Sequence, residues 1–275
     1  MNGRAVAAWS AACLLGVLLT TNPGYRALVL AAALGAVLAG AGWRRTRRLL
    51  IGVALAVLSA VVLNFAFSHL GADALFALPD GWVLIGGPWT LEALVFGLAS
   101  GLAVAGAVLA VAPLSLLLEP HQVVDALPGP LARTGAAVAA SLNLVPGLAR
   151  SFTAISEAQR MRGWRPRGPA SWAEVVVPAV LTAIEDSIQL AEAMEARGFG
   201  SGPRTRYSPP TLTQTDLLLL GAAGLSAVLL VLARVLGQAA DWYPYPFLRP
   251  PALAPLGVAA CLPLFLPAWL WRSPR

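Results

Sequence analysis

Six apolar runs, each about as long as a bilayer is thick, constrain this chain more than anything else in it. A helix crosses the hydrocarbon core in about 17 to 25 residues. The runs Ala5 to Thr21, Ala27 to Trp43, Leu49 to Phe67, Leu91 to Leu116, Leu217 to Leu236 and Ala252 to Trp271 fit that length. They predict an all-α integral membrane protein with about six transmembrane helices. Charged residues make up 12% of the 275, against about 25% in soluble domains, and the mean hydropathy is +0.72. The first run follows Arg4 as the core of a signal peptide would. Thr20-Thr21-Asn22-Pro23-Gly24 offers no small-x-small cleavage site, so the run is expected to be a span.

Every one of the 19 basic residues is arginine, and no lysine occurs. A phosphate-binding loop ending in Gly-Lys-Ser/Thr cannot be written, nor can a Schiff-base lysine. Any ATP-driven activity must therefore use the ATPase of another subunit. Positive charge collects in cytoplasmic loops. With the N-terminus inside, Arg4, the cluster Arg44, Arg45, Arg47 and Arg48, the nine arginines from Arg133 to Arg206, and Arg272 and Arg275 all fall on the cytoplasmic side. Arg26 and Arg249 fall outside, Arg234 lies near a span end, and Ser68 to Thr90 carries Asp73 and Asp80 but no arginine. Both termini are thus expected to face the cytoplasm of a cell membrane. Trp43, Trp82, Trp89, Trp242, Tyr243, Trp269 and Trp271 lie near the proposed boundaries, where amphipathic rings favour the headgroup level.

The two cysteines, Cys13 and Cys261, sit in apolar runs at opposite ends of the chain and read as small buried hydrophobes. His69 and His121 have no second ligand at metal-binding spacing. No cofactor or resident metal is expected.

Between the fourth and fifth spans the character changes, dividing the chain into residues 1–118, 119–211 and 212–275. Apolar residues in the middle segment follow helical spacing on single faces, which need burial against the membrane bundle, the interface or a partner protein. One helix is expected from about Ala140 to Arg162, with Leu144, Leu148, Phe152, Ile155 and Gln159 on one face and a kink or join at Pro146. The next is expected from Ser171, whose hydroxyl and Glu174 form a reciprocal capping box, to Arg197. It carries Val177, Leu181, Ile184 and Ile188 on one face, with Pro178 in its early part.

Both helices stop at the same pair, Arg162-Gly163 and Arg197-Gly198. Glycine past a helix end closes the last carbonyls, and arginine in the last turn suits the negative end of the dipole. Taken singly, each pair is an ordinary helix stop. Two on consecutive amphipathic helices also present two guanidinium forks suited to carboxylates on a partner.

The stretches Pro146 to Gly163, with Ala158-Gln159-Arg160-Met161-Arg162-Gly163, and Pro178 to Gly200, with Ala191-Glu192-Ala193-Met194-Glu195-Ala196-Arg197-Gly198-Phe199-Gly200, resemble the paired coupling helices of the transmembrane T component of energy-coupling-factor transporters. That family includes cobalt-transport permeases, and each of its coupling helices ends in an Ala-Arg-Gly signature. The second copy matches at Ala196, Arg197 and Gly198, whereas the first reads Met161-Arg162-Gly163, with methionine in place of alanine. The resemblance is specific over roughly Leu142 to Gly200.

It implies a non-catalytic subunit with a cytoplasmic pair of long amphipathic coupling helices that dock into two cytoplasmic ABC-type ATPase subunits. The membrane part then holds a small substrate-binding S component, which topples to release a vitamin or a metal ion inside. Arg160, Met161, Arg162, Gly163, Ala196, Arg197 and Gly198 are the implied ATPase contacts.

Two other classes fit less well. A secondary transporter or channel with a helical gate would place ionisable groups at membrane depth, yet Glu92 and Arg234 sit near span ends and Asn64 is uncharged. A membrane enzyme would need a nucleophile with its base, and Glu185, Asp186, Glu192 and Glu195 read as a solvated or arginine-paired face. Arg160, Arg162, Arg165 and Arg167 around Trp164 fit anionic headgroups, and Arg204 and Arg206 are compatible with lipid contact. Nucleic acid is not expected as a partner beside a membrane bundle.

Overall fold

The computed structural model describes residues 2–79, 86–119, 122, 132–199, 201 and 212–271. Asp80, Trp82, His121, Gly200, Arg204, Arg206, Arg272 and Arg275, all named above, lie outside the described residues. In chain order the elements are α1 (Gly3–Leu19), α2 (Pro23–Ala41), α3 (Trp43–Phe67), β1 (Ala74–Leu78), β2 (Gly87–Thr90), α4 (Leu91–Leu116), α5 (Ala132–Met161), α6 (Ala173–Ala196), α7 (Gln214–Val235), α8 (Pro255–Cys261) and α9 (Leu266–Leu270). Two compact units emerge, residues 1–126 with 212–275, and residues 127–211.

Among its described residues the first unit is an all-α membrane bundle apart from two short paired strands. Among the described residues α2, α3, α4 and α7 are long and apolar enough to cross a bilayer. All six apolar runs of the sequence are helical, but the two outermost fall short of that length. Seventeen residues of α1 rise about 26 Å, a little under the roughly 30 Å of hydrocarbon. The last run breaks into α8, a 3-10 turn at Leu262–Phe265 and α9, with Pro263 and Pro267 removing the amides that would continue an α-ladder. The short strands β1 and β2, which the hydropathy pattern does not anticipate, pair antiparallel with Ala77 opposite Pro88 and Leu78 opposite Gly87.

Small residues let the bundle close, as they do wherever lipid leaves no hydrophobic drive between helices. Ala32, Ala33 and Ala36 on α2 are fully buried, beside Trp9, Tyr25, Leu109 and Leu264. On α4, a Cβ at Gly97 would stand 2.9 Å from the Val61 Cα, and one at Gly101 2.9 Å from a Val57 methyl carbon. The four-residue spacing puts both glycines on the α3 side of α4. The opposite face of α3, with Ile51, Leu55, Leu58 and Val62, is more than half exposed.

Polar side chains in this unit fasten its connections. The Glu92 carboxylate, in the first turn of α4, accepts from the amides of Ala72 (3.0 Å) and Asp73 (3.1 Å). Asn22 donates to the carbonyls of Ala240 and Ala252. Arg234, at the end of α7, pairs with Asp241, and Asn64 donates to the Ala60 carbonyl. Cys13 and Cys261 are free and buried in the apolar core. Trp43 and Trp269, in α3 and α9, and Tyr243, in the loop after α7, are well exposed, whereas Trp242 and Trp271 are buried, so those two rings pack inward and form no part of a headgroup belt.

Candidate functional site: a helical hairpin with two matched ends

The second unit is built on α5 and α6. The first of these starts at Ala132, eight residues before the expected Ala140, because the alanine-rich stretch from 132 to 140 continues the helix. Pro146 lies inside it without ending it.

Where α5 stops, the amide of Gly163 donates to the Arg160 carbonyl (3.0 Å) and that of Trp164 to the Gln159 carbonyl (2.9 Å). Gly163 has φ +88°. At the end of α6 the amide of Gly198 donates to the Glu195 carbonyl (2.8 Å), that of Phe199 to the Met194 carbonyl (2.9 Å), and Gly198 has φ +72°. Both ends are therefore Schellman caps with the same bond pattern, in which only glycine enters the left-handed region at little cost. The expectation drawn from Arg-Gly, a glycine-closed stop at each helix, holds at both places.

The two caps differ in the residue that follows the glycine. Trp164 folds inward and is buried, its indole N–H donating to the Ser171 carbonyl (2.9 Å). Its ring meets Trp172 edge-on at 5.3 Å, and Trp172 stacks on Phe152 of α5 at 6.1 Å and 8°. Gln159 Nε2 adds a bond to the Glu174 carbonyl. This aromatic clasp joins the end of α5 to the start of α6. Trp164 is consequently unavailable as the headgroup or base-stacking ring that its basic neighbours suggested. The position after a Schellman glycine is where an apolar contact belongs, which was the signal for the clasp. Phe199, its counterpart after Gly198, stays 54% exposed.

The capping box expected at Ser171 does not form. Pro169 opens a 3-10 turn at Pro169–Trp172, and within it the Ser171 hydroxyl accepts from the Arg167 amide and donates to the Gly168 carbonyl. With that hydroxyl engaged on the preceding loop, α6 begins at Ala173 with no side-chain cap.

The faces of α6 explain its unusual composition. Val175 and Ala179 are buried in the hairpin, whereas Val177, Leu181, Ile184 and Ile188, expected on one apolar face, are all half or more exposed. The hairpin thus covers its narrow small-residue side and leaves its bulky side open. Glu185, Asp186, Glu192 and Glu195 are exposed and unpaired among the described residues, a solvated acidic face.

Arg160, Met161, Arg162, Gly163, Ala196, Arg197 and Gly198 are all exposed, Met161 to 84%. The side chains of Arg162 and Arg197 make no hydrogen bond or ion pair among the described residues. Each guanidinium therefore stands beside a closed helix end with its donors free. Arg165 and Arg167 are likewise exposed in the connection.

The described residues thus comprise a bundle of long apolar, membrane-spanning helices and a hairpin whose two helices end in matching caps, each beside a free arginine. The family to which the chain belongs makes this a membrane component of a transport system. A family model described as cobalt transport protein, CbiQ, matches residues 1–207, so the chain belongs to the CbiQ family. The match takes in α1 to α4 and the whole hairpin. No curated protein matches the chain.

Proposed function

We propose that this chain is the coupling subunit, or T component, of an energy-coupling-factor importer in the cell membrane, with both termini in the cytoplasm. Two cytoplasmic ABC-type ATPases supply the energy, and a small membrane S component binds the cargo. The observation that carries this reading is the pair of Schellman caps, which presents Arg162 and Arg197 free on two successive amphipathic helices.

A Schellman cap engages two of the last backbone carbonyls and turns the chain sharply away, so a partner can approach the helix end and meet the exposed guanidinium fork. A carboxylate on each ATPase is the natural counterpart. The glycines allow close approach, and Arg160, Met161 and Ala196 line the contact. Motion of the ATPases then passes along α5 and α6 as rigid levers, tied together at one end by the Trp164–Trp172–Phe152 clasp. The exposed Val177, Leu181, Ile184 and Ile188 are the surface available to the membrane-embedded S component. That component selects the cargo, a transition metal or a vitamin, and the family description names cobalt.

Charge reversal tests the proposal. Removing one member of a desolvated pair costs about 3 to 5 kcal/mol, so Arg162→Glu or Arg197→Glu should abolish co-purification of the ATPase pair while leaving the protein inserted. As pure helix stops, the same changes would cost about 1 kcal/mol or less. Wild-type recovery of the complex with both arginines reversed would rule out the docking role.

A further inference from the structure

The strongest charged patch outside the hairpin is at the start of α3, and neither the fold nor the proposed coupling uses it. Gly42 alone separates α2 from α3, two helices long enough to span the membrane. The residues that follow it, Trp43-Arg44-Arg45-Thr46-Arg47-Arg48, thus sit at the level of the headgroups. Thr46 is buried and donates its hydroxyl to the Gly42 carbonyl (2.8 Å). Arg44, Arg45, Arg47 and Arg48 are all exposed, and none of their side chains makes a hydrogen bond or ion pair among the described residues. Trp43 is 64% exposed.

This arrangement is unfavourable in isolation. Arg44, Arg47 and Arg48 fall three and four apart, on one side of the helix, where like charges repel. They also occupy the N-terminal turns, where the helix dipole is already positive and no acidic side chain offsets it. Folding gathers four guanidiniums at the wrong end of a helix without a counter-charge paired to them among the described residues. At that depth a bilayer supplies phosphates, and guanidinium forks bind phosphate oxygens in pairs. Trp43 provides the ring that settles at the same level.

We propose that Trp43 and the four arginines form a binding site for anionic phospholipid headgroups, occupied by the phosphate of a lipid whose net charge is negative. The inference needs only the two spans on either side of Gly42 and is independent of the ATPase coupling. A second acidic protein would meet the same charges, but two spans ending at this point favour lipid.

Native mass spectrometry of the purified full chain in neutral detergent tests it, with phosphatidylcholine, phosphatidylglycerol and cardiolipin added in turn. The wild type should retain phosphatidylglycerol and cardiolipin over phosphatidylcholine. Arg47→Gln with Arg48→Gln should lose that retention by about fivefold for each charge removed, with the loss shrinking as salt is raised. Arg47→Lys with Arg48→Lys should keep most of it, and Arg150→Gln with Arg249→Gln, two exposed arginines away from the start of α3, should leave it unchanged.

Equal retention of all three lipids by the wild type, or equal anionic-lipid retention by the glutamine pair, would overturn the assignment. So would loss in the Arg150 and Arg249 variant instead, or full displacement by inorganic phosphate, which would mark a free-anion site. Should the glutamine pair fail to insert, a salt series on the wild type decides. Affinity for phosphatidylglycerol must fall as salt rises, and a salt-independent affinity contradicts the site.

Discussion

Gly163 and Gly198 carry the geometry of the hairpin ends, and each holds a backbone conformation that a Cβ makes costly. Gly163→Ala and Gly198→Ala should each cost about 1 kcal/mol, read as faster hydrogen exchange in the last turn of α5 or α6 alone. The second variant should be the worse of the two. A Cβ at Gly198 would stand 3.1 Å from Ser201 Oγ, whereas nothing lies within 4 Å of one at Gly163. Residue identity made these caps legible from sequence, since arginine and then glycine at a helix end has a local physical meaning. Ser171 shows the opposite case. Its match to a capping box was equally local, yet Pro169 sets a 3-10 turn first and the hydroxyl is spent on Arg167 and Gly168.

At the scale of elements, the Trp164 clasp should set the stability of the hairpin. Trp164→Ala removes a buried indole and should cost about 3 kcal/mol, visible as protease cleavage in the 162–172 connection while the membrane bundle stays intact. In the bundle, Gly97→Val and Gly101→Val would force α4 away from the α3 backbone at Val61 and the Val57 side chain. A cost of about 1 to 3 kcal/mol each is expected, measured as a lower unfolding temperature in detergent.

The loop after α7 adds a pH dependence. A hydrogen bond from Arg234, with the guanidinium charge and the Thr21 hydroxyl, holds the Asp241 carboxyl below the usual carboxylate range. Its contribution is therefore complete above that range and is lost as pH falls through the lowered value. Both side chains are about half exposed, so the effect is small and screened by salt. Asp241→Asn should make proteolysis of this loop independent of pH in the acid range. Helix-forming runs were readable because membrane thickness fixes their length. The break in the last run was carried by Pro263 and Pro267, which hydropathy alone ignores. The hairpin of β1 and β2 escaped because Ala74–Leu78 is uniformly apolar and its alternation is hidden.

Across the whole molecule, chemistry and leverage are divided. A hairpin of free arginines on a membrane bundle has the parts of a transmitter, and in the proposed importer the energy comes from partners. The family and the hairpin were readable from sequence because the tandem motif is short-range. The partnering of Trp164, Trp172 and Phe152 was not, because it depends on how the connection folds back to bring together residues up to twenty positions apart.

Docking of the hairpin ends on the ATPases is the claim everything else serves, and cysteine accessibility tests it most directly. Cys13 and Cys261 are buried, so a cysteine placed at the 84% exposed Met161 gives a nearly clean signal. In membranes containing this chain alone, Met161→Cys should react rapidly with a water-soluble maleimide. Assembly with the ATPase pair should protect it, and Arg162→Glu in the same chain should restore the reaction. An unchanged labelling rate in an assembled, transport-competent complex would contradict docking at this helix end.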